Sequence, residues 1–503
     1  MTERSDVRSP AVRVPEPRVP DDRAALPGPP DDRLDPRSRT VITVLLVSAF
    51  VVILNETIMS VALPVLMADL QVSASVGQWL TAGFLLTMSV VIPITGFLIR
   101  RFRTRSLYGA AMGLFSTGTL LAALAPGFPV LLAARVVQAS GTAIMMPLLM
   151  TTVMTLVPPA RRGVMMGNIS IVIAVAPATG PAVSGLVLSL LGWRFMFWLV
   201  LPIALGSLAV GLRRNTDVGE PTAMRIDVVS VVLSAFGFGG LVYGLSSFGQ
   251  EAAGPSATTW VAFVVGAVGL AAFVGRQLVL QRDDRALLDL RTFRFRTFTA
   301  ASVLMMLMMA VLLGAIVLLP IYMQTVQGLA PLATGLLLLP GGLLMGLLGP
   351  VVGRLYDRFG ARALLLPGTV VTSLALWSAT LLEVHSAAAQ ILVFHLLLSA
   401  GLAFVFTPLF TAGLGALPAR LYSYGSAVFG ATQQLAGAAG VALLVSVFSV
   451  RSAALAGSGV VEVEAVAGGV HAAFVVAACL SVAAVVGALF VRTPDPEDAL
   501  VRH

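Results

Sequence analysis

Lysine is absent from this sequence of 503 residues, and cysteine occurs once. Without lysine the chain cannot form the phosphate-binding loop that ends in Lys-Ser/Thr, so ATP hydrolysis through that loop is excluded. The single Cys479 excludes an intrachain disulfide, and we expect it to be a small buried residue. Four histidines and one cysteine argue against a clustered metal or catalytic centre. We therefore expect no enzyme activity, no metal and no cofactor.

Charge is the second shortage. Charged residues make up 11% of the chain and hydrophobic residues 57%, with a mean hydropathy of +0.94, whereas soluble domains carry about 25% charged residues. A helix needs about 20 apolar residues to cross a bilayer. Fourteen such runs predict an all-α polytopic membrane protein, and they are 40–63, 78–99, 106–125, 129–157, 164–190, 195–212, 228–248, 257–280, 298–324, 333–355, 363–382, 387–413, 424–450 and 469–491.

Arginine supplies the net charge of +8, and its distribution predicts the orientation. If the N-terminus is cytoplasmic, 29 of the 32 arginines fall on the cytoplasmic side; Arg194 and Arg451 lie outside and Arg135 lies within a run. Positive charge concentrates in cytoplasmic loops of membrane proteins. We therefore predict a multi-pass protein of the cytoplasmic membrane with both termini in the cytoplasm, and no nucleic-acid partner.

The chain repeats itself. GFLIRRFRTR at 96–105 matches GRLYDRFGAR at 353–362 in glycine, leucine, arginine, phenylalanine and arginine, 257 residues apart, and Arg135 lies opposite His395 at an offset of 260. Both loops face the same side, which predicts two parallel six-helix repeats with two further helices inserted between them. The predicted units are a disordered tail (1–39), an N-terminal bundle (40–213), the inserted helices with their linkers (214–297), a C-terminal bundle (298–491) and a second tail (492–503).

Several motifs follow one another in order. They are LNETIMSVALP at 54–64, RVVQASG at 135–141, APATGPAVSG at 176–185, GWR at 192–194, YMQTVQG at 322–328 and the 353–362 loop. Together they resemble the major facilitator superfamily, in particular its fourteen-span drug:proton antiporter branch. That branch usually has Asp where this chain has Asn55; the carboxylate one residue later is similar to exporters of the lincomycin-resistance type.

This resemblance implies a major facilitator fold and the export of amphipathic small molecules, drugs or antibiotics, in exchange for protons. It also implies that the span-five motif with Pro177, Gly180, Pro181 and Gly185 sets the export direction. From the residues alone, that motif predicts only a kinked and tightly packed helix. The expected partners are the substrate, protons and the lipid bilayer, and a monomer is expected.

Glu56 and Arg135 are the ionisable residues that stand out inside the apolar runs. Each is about 10 Å below the same end of its span at 1.5 Å per residue, so the two side chains can face one another. Burial of an ionisable group is costly and indicates function. Glu56 is the predicted proton carrier and Arg135 part of the coupling site; the alternative is a static ion pair between spans one and four.

Five further residues are predicted to line the substrate cavity: Asn55, Met59, Gln138, Gln324 and Gln327. Gln138 lies one turn from Arg135 and is its expected hydrogen-bonding partner. His395 is the candidate for a second proton site. The alternative for His395 is a neutral ring bonded between helices.

The second-half loop contributes the last set of predicted residues, a charge cluster that closes one state of the transport cycle. The members are Gly353, Asp357, Arg358, Gly360 and Arg362. The alternative is a short turn that follows the positive-inside rule. The first-half copy has Arg100 in place of the acid, which argues against the same role there.

Other functions remain open. A dedicated exporter of one endogenous metabolite, or a translocase of lipids and amphiphiles, fits the same composition. An uptake symporter conflicts with the span-five motif, and a channel would be expected to have rings of like charge.

Overall fold

The computed structural model describes residues 35–214, 217, 222, 226–248 and 256–491, and within these ranges it contains helices and no strand. Thirteen of the described helices are long and apolar enough to cross a membrane. They are α1 (Pro36–Asp69), α2 (Trp79–Arg101), α3 (Thr104–Ala123), α4 (Phe128–Leu156), α5 (Arg162–Leu190), α6 (Arg194–Arg214), α7 (Val228–Phe248), α8 (Ala257–Leu280), α9 (Arg296–Ile321), α10 (Pro331–Ala379), α11 (Ala388–Gly415), α12 (Tyr422–Gly457) and α13 (Glu462–Ala488). The predicted all-α class is confirmed.

The difference between fourteen predicted spans and thirteen helices lies in α10. Its 49 residues would extend about 74 Å as a straight helix, more than twice the roughly 30 Å of a bilayer core. Gly360 breaks it, with φ 77° and ψ −179°, a conformation that glycine adopts without a steric penalty. Helix α10 therefore supplies two spans joined at Gly360, which accounts for the predicted number.

The inserted helices α7 and α8 pack closely on one another. Their backbones approach at Gly240 and Gly266, where a side chain on Gly266 would collide with the backbone of α7. A π-helical turn at Ala235–Gly239 interrupts α7. Helix α7 also packs against both α2 and α12, so the inserted pair lies along the contact between the first six helices and the last five.

The first six helices and the last five are in close contact at the end that carries the arginine-rich loops, which we call the arginine-rich end. Helix α5 packs along the first part of α10, where Gly167 faces Gly349 with no room for a side chain. Thr151 of α4 donates a hydrogen bond to Ser426 of α12 at 3.2 Å. The two sets of helices are therefore joined at the arginine-rich end in this structure.

Two expectations need correction. Helix α1 begins at Pro36, so the last residues of the predicted tail 1–39 are helical; residues 1–34 and the tail 492–503 lie outside the described residues. Cys479 is exposed on α13 and not buried, because its helix turns that face away from its neighbours.

Candidate functional site

Arg135 lies at the centre of the candidate site. It is seven residues inside α4 and only 1% exposed. Its Nη1 donates to Oε1 of Gln138 at 2.6 Å and to Oδ1 of Asn55 at 3.4 Å. The guanidinium group also lies over the ring of Phe84 on α2, 4.1 Å from the ring centroid. The expected pairing of Arg135 with Gln138 is present.

A second layer of hydrogen bonds orients Gln138. Its Nε2 donates to Oγ1 of Thr119 on α3 at 2.8 Å, and Thr119 in turn donates to the carbonyl of Phe115 at 2.7 Å. Side chains from α1, α2, α3 and α4 therefore fix the guanidinium group. The Nε atom of Arg135 is buried and has no hydrogen-bond partner in the part of the chain that the structure describes.

Glu56 is held much less firmly than Arg135. Its side chain is half-buried, and none of the hydrogen bonds or ion pairs within 4.0 Å in the described ranges includes its carboxylate. Arg135 is the charged group that acts on it electrostatically. The direct link between α1 and α4 is made by Asn55, and the alternative of a static Glu56–Arg135 ion pair does not describe this structure. The site thus combines a cation that its neighbours fix with a carboxylate that has no hydrogen-bond partner in the described part of the chain.

Helix α5 reaches this site through Gly180. A side chain at Gly180 would collide with Thr57, the residue that follows Glu56 on α1. Gly185 has open space beside it, and α5 is continuous through Pro177 and Pro181. The side chain of Pro181 lies outside the described residues. The close α1–α5 contact joins the predicted span-five motif to the helix that carries Glu56.

The remaining predicted cavity residues are Met59, Gln324 and Gln327. Met59 is 3% exposed on α1, and Gln324 is exposed in the π-helical turn after α9. Gln327 donates to the hydroxyl of Tyr322 and to carbonyls of Glu383 and Val384, in the loop between α10 and α11. Their contact with substrate stays a prediction.

His395 bonds two helices together. Its Nε2 lies 3.0 Å from the carbonyl oxygen of Leu338, and its ring packs against Gly341 of α10, where no side chain would fit. Its Nδ1 is buried and without a partner in the described part of the chain. This arrangement favours the interhelical alternative, and a second proton site at His395 stays a prediction.

Asp357 does not form the predicted charge cluster with Arg358 and Arg362. Its Oδ1 accepts from the backbone N–H of Gly163 at 2.8 Å and its Oδ2 from that of Val164 at 2.9 Å, at the first turn of α5. Arg358 instead lies over the ring of Phe359. The correction has a physical reason: unpaired N–H groups at a helix N-terminus attract an anion. The acid therefore joins α10 to α5 without an arginine.

Arg100, at the position that matches Asp357, contacts Tyr424 in the first turn of α12. Its Nη1 donates to the Tyr424 hydroxyl at 3.2 Å, and its guanidinium carbon lies 5.3 Å from the centre of the ring. Sequence reasoning missed Tyr424. The repeat could have indicated this contact, since the 257-residue offset places Arg100 and Asp357 at equivalent helix ends.

Comparisons with known proteins agree on the kind of molecule. Residues 45–441 match the family described as Major Facilitator Superfamily. The MFS-type transporter YcnB of Bacillus subtilis (strain 168) is 41% identical over 89% of this chain and 93% of its own length. The lincomycin resistance protein LmrB of Listeria innocua serovar 6a is 39% identical over 81% of this chain and 86% of its own. The human organic anion transporter MFSD10 superposes with a TM-score of 0.64 at 15% identity, covering 90% of this chain and 100% of that one.

Proposed function

The chain belongs to the major facilitator superfamily, and from this premise we propose that it exports amphipathic drugs or antibiotics from the cytoplasm in exchange for protons. The lincomycin resistance protein, 39% identical, supports the choice of an antibiotic-like substrate. We assign the arginine-rich end to the cytoplasm because positive charge concentrates there. The protein then has both termini in the cytoplasm, and acts as a monomer.

The observation that carries this proposal is the contrast between Arg135 and Glu56. Arg135 is fixed by Asn55, Gln138 and Phe84, whereas the carboxylate of Glu56 has no hydrogen-bond partner in the described part of the chain. Desolvation favours the neutral acid, and the nearby cation favours the carboxylate. A group balanced in this way can bind a proton in one state and release it in another.

The exchange then proceeds in alternating steps around this site. A proton enters from the side opposite the arginine-rich end and neutralises Glu56 while the cytoplasmic end is closed. After the helices rock, drug binding from the cytoplasm favours the carboxylate and displaces the proton inwards. One proton moves inwards for each drug molecule that moves out.

Proton-driven uptake into inverted membrane vesicles tests the proposal. Wild type should accumulate a lipophilic drug until the pH gradient is collapsed, and Glu56→Gln should lower that uptake at least about tenfold while drug binding is retained. Glu383→Gln is the matched control, because Glu383 is exposed in the loop between α10 and α11. Unchanged uptake in Glu56→Gln would exclude this carboxylate as the carrier. No transport of any drug in wild type would favour a dedicated metabolite or a lipid as substrate.

A further inference from the structure

The segment that follows the inserted helices, residues 284–292, is folded into the arginine-rich end. Ala286, Leu287, Leu288 and Asp289 are buried, although they belong to a connection between helices. A connecting segment on the surface of a protein is usually exposed. Its burial indicates that it has a specific place in the structure.

Both inserted helices anchor this segment. The side-chain oxygen of Gln277, fully buried on α8, accepts from the backbone N–H of Leu287 at 2.8 Å and of Leu288 at 3.2 Å. The amide nitrogen of the same Gln277 donates to Ser230 of α7 at 2.7 Å. One buried glutamine thus joins α7, α8 and the segment, and it uses both ends of its amide to do so.

A second contact holds the base of α7 to α8. Arg276 of α8 donates two hydrogen bonds to Asp227, which precedes α7, at 2.6 and 2.8 Å. Such a paired arrangement fixes geometry as well as charge. The anchor of the segment is therefore itself held in place.

The segment has two acids and two arginines, and both acids pair with Arg291. The Arg291 side chain donates three hydrogen bonds to the carboxylate of Asp289, at 2.7 to 3.0 Å, and also pairs with Asp284, so two carboxylates share one guanidinium group. Arg291, and then Arg100 and Arg420, hold the pKa of Asp284 below its ordinary value. The ion pair that Asp284 makes in the described part of the chain is with Arg291, and the Asp284 side chain itself is exposed.

The segment also touches the contact between α2 and α12 directly. The hydroxyl of Tyr424 accepts a hydrogen bond from Arg100 and lies 3.4 Å from the carbonyl oxygen of Ala286, to which it donates. Arg100, Tyr424 and Ala286 therefore form a continuous chain from α2 through α12 to the segment. Helix α7 packs along the same two helices.

We propose that segment 284–292, anchored by the inserted helices and held in shape by the Asp284–Arg291–Asp289 cluster, keeps α12 in contact with α2 at the arginine-rich end. This assigns a role to the inserted pair: it positions a third element across the contact between the two bundles. The proposal rests on the alternating-access part of the proposed function. It requires neither a particular substrate nor a proton carrier.

Distance measurements on the full-length protein in lipid nanodiscs test it. Spin labels are attached to Ala160→Cys and Ala419→Cys, both exposed at the arginine-rich end, in a Cys479→Ser background. Asp284→Asn removes the ion pair with Arg291 that holds the segment in shape, and it should raise the population with a long label distance by about threefold. Asp283→Asn, the same change at the exposed neighbouring residue, should leave it unchanged.

A second variant tests the anchor. Gln277→Leu removes the link to Leu287 and Ser230, and it should raise the long-distance population together with the mobility of a label placed at exposed Arg285. Equal distances in wild type, Asp284→Asn and Gln277→Leu would overturn the proposal, as would an equal effect of Asp283→Asn. Because no substrate is present, the result does not depend on whether the protein exports drugs by proton exchange.

Discussion

Asp357 and Arg100 occupy matched positions in two copies of one loop, and each contacts the first turn of a helix in the opposite bundle. Asp357 accepts from two backbone N–H groups of α5. Arg100 contacts the hydroxyl and ring of Tyr424 on α12. A helix N-terminus carries a partial positive charge of about one half, so it attracts the acid and repels the arginine. The two copies of the loop therefore make a contact at the same position, but with different chemical groups.

The backbone differs between the two loops in the same way. At Gly360 the chain takes a positive φ of 77°, and α10 continues directly into the next span. The matched residue is Arg103, and there α2 ends at Arg101 with Phe102 in an extended conformation. The first loop therefore has neither the acid nor the tight glycine turn. Segment 284–292 lies against the Arg100–Tyr424 contact, at the loop that has neither feature.

The largest effect is expected from Asp357→Asn, which breaks the acidic contact. An amide can accept from only one of the two N–H groups and turns its own NH2 toward the other, so the closed arginine-rich end should lose about 1–3 kcal/mol. The distance between spin labels at Ala160→Cys and Ala419→Cys should lengthen. Asp69→Asn, at the opposite end beside Trp193, is the control. A closed end in Asp357→Asn would mean that the glycine packing of α5 and α10 suffices.

A smaller effect is expected from Tyr424→Phe, which sharpens the comparison at the other loop. The variant keeps the ring under Arg100 and removes the hydroxyl that links Arg100 to Ala286, at a cost of about 0.5–1.5 kcal/mol. The same label distances should shift less than in Asp357→Asn. Tyr422→Phe is the matched control, because Tyr422 offers its ring face to Arg162. Equal shifts in the two phenylalanine variants would contradict a specific role for the Tyr424 hydroxyl.

The smallest effect concerns the anchor of the inserted helices at low pH. Hydrogen bonds from Arg276, and then from Ser230, lower the pKa of Asp227 well below its ordinary value of 3.8. Because the pKa of Asp227 is lower in the folded state than in the unfolded state, its ionised form stabilises the folded protein at any pH above the unfolded-state pKa. This stabilisation is lost as the pH falls toward the folded-state pKa. The difference in Tm between wild type and Asp227→Asn should therefore be smaller at about pH 3 than at about pH 7. A difference that grows on acidification would show that another group dominates.

The sequence was most informative where two interacting residues are close along the chain, or where the length and spacing of apolar residues identify a helix. The fourteen apolar runs followed from length and composition, and the Arg135–Gln138 bond followed from three-residue spacing on one helix. The partner of Asp357 could not be predicted in this way, because Gly163 is 194 residues away and the contact depends on how the two bundles pack. The bond between Asn55 and Arg135 was not predicted either, since it depends on the position of α4 relative to α1.

The burial of segment 284–292 could not be predicted either. Its acids and arginines are typical of a short exposed linker, and the hydrogen bonds of the buried Gln277 amide show its place only in the structure. In the sequence, nothing distinguishes Gln277 from any other polar residue near the end of an apolar helix. The role of the inserted helices therefore came from the structure alone.

Proton release on drug binding tests the central claim, that Glu56 carries the exchanged proton, most directly. Purified protein in weakly buffered solution is mixed with a lipophilic drug, and the pH change is followed. Wild type should release about one proton per bound drug molecule, whereas Glu56→Gln should bind the drug and release none. Equal release from Glu56→Gln and wild type would contradict the account and move the search to His395.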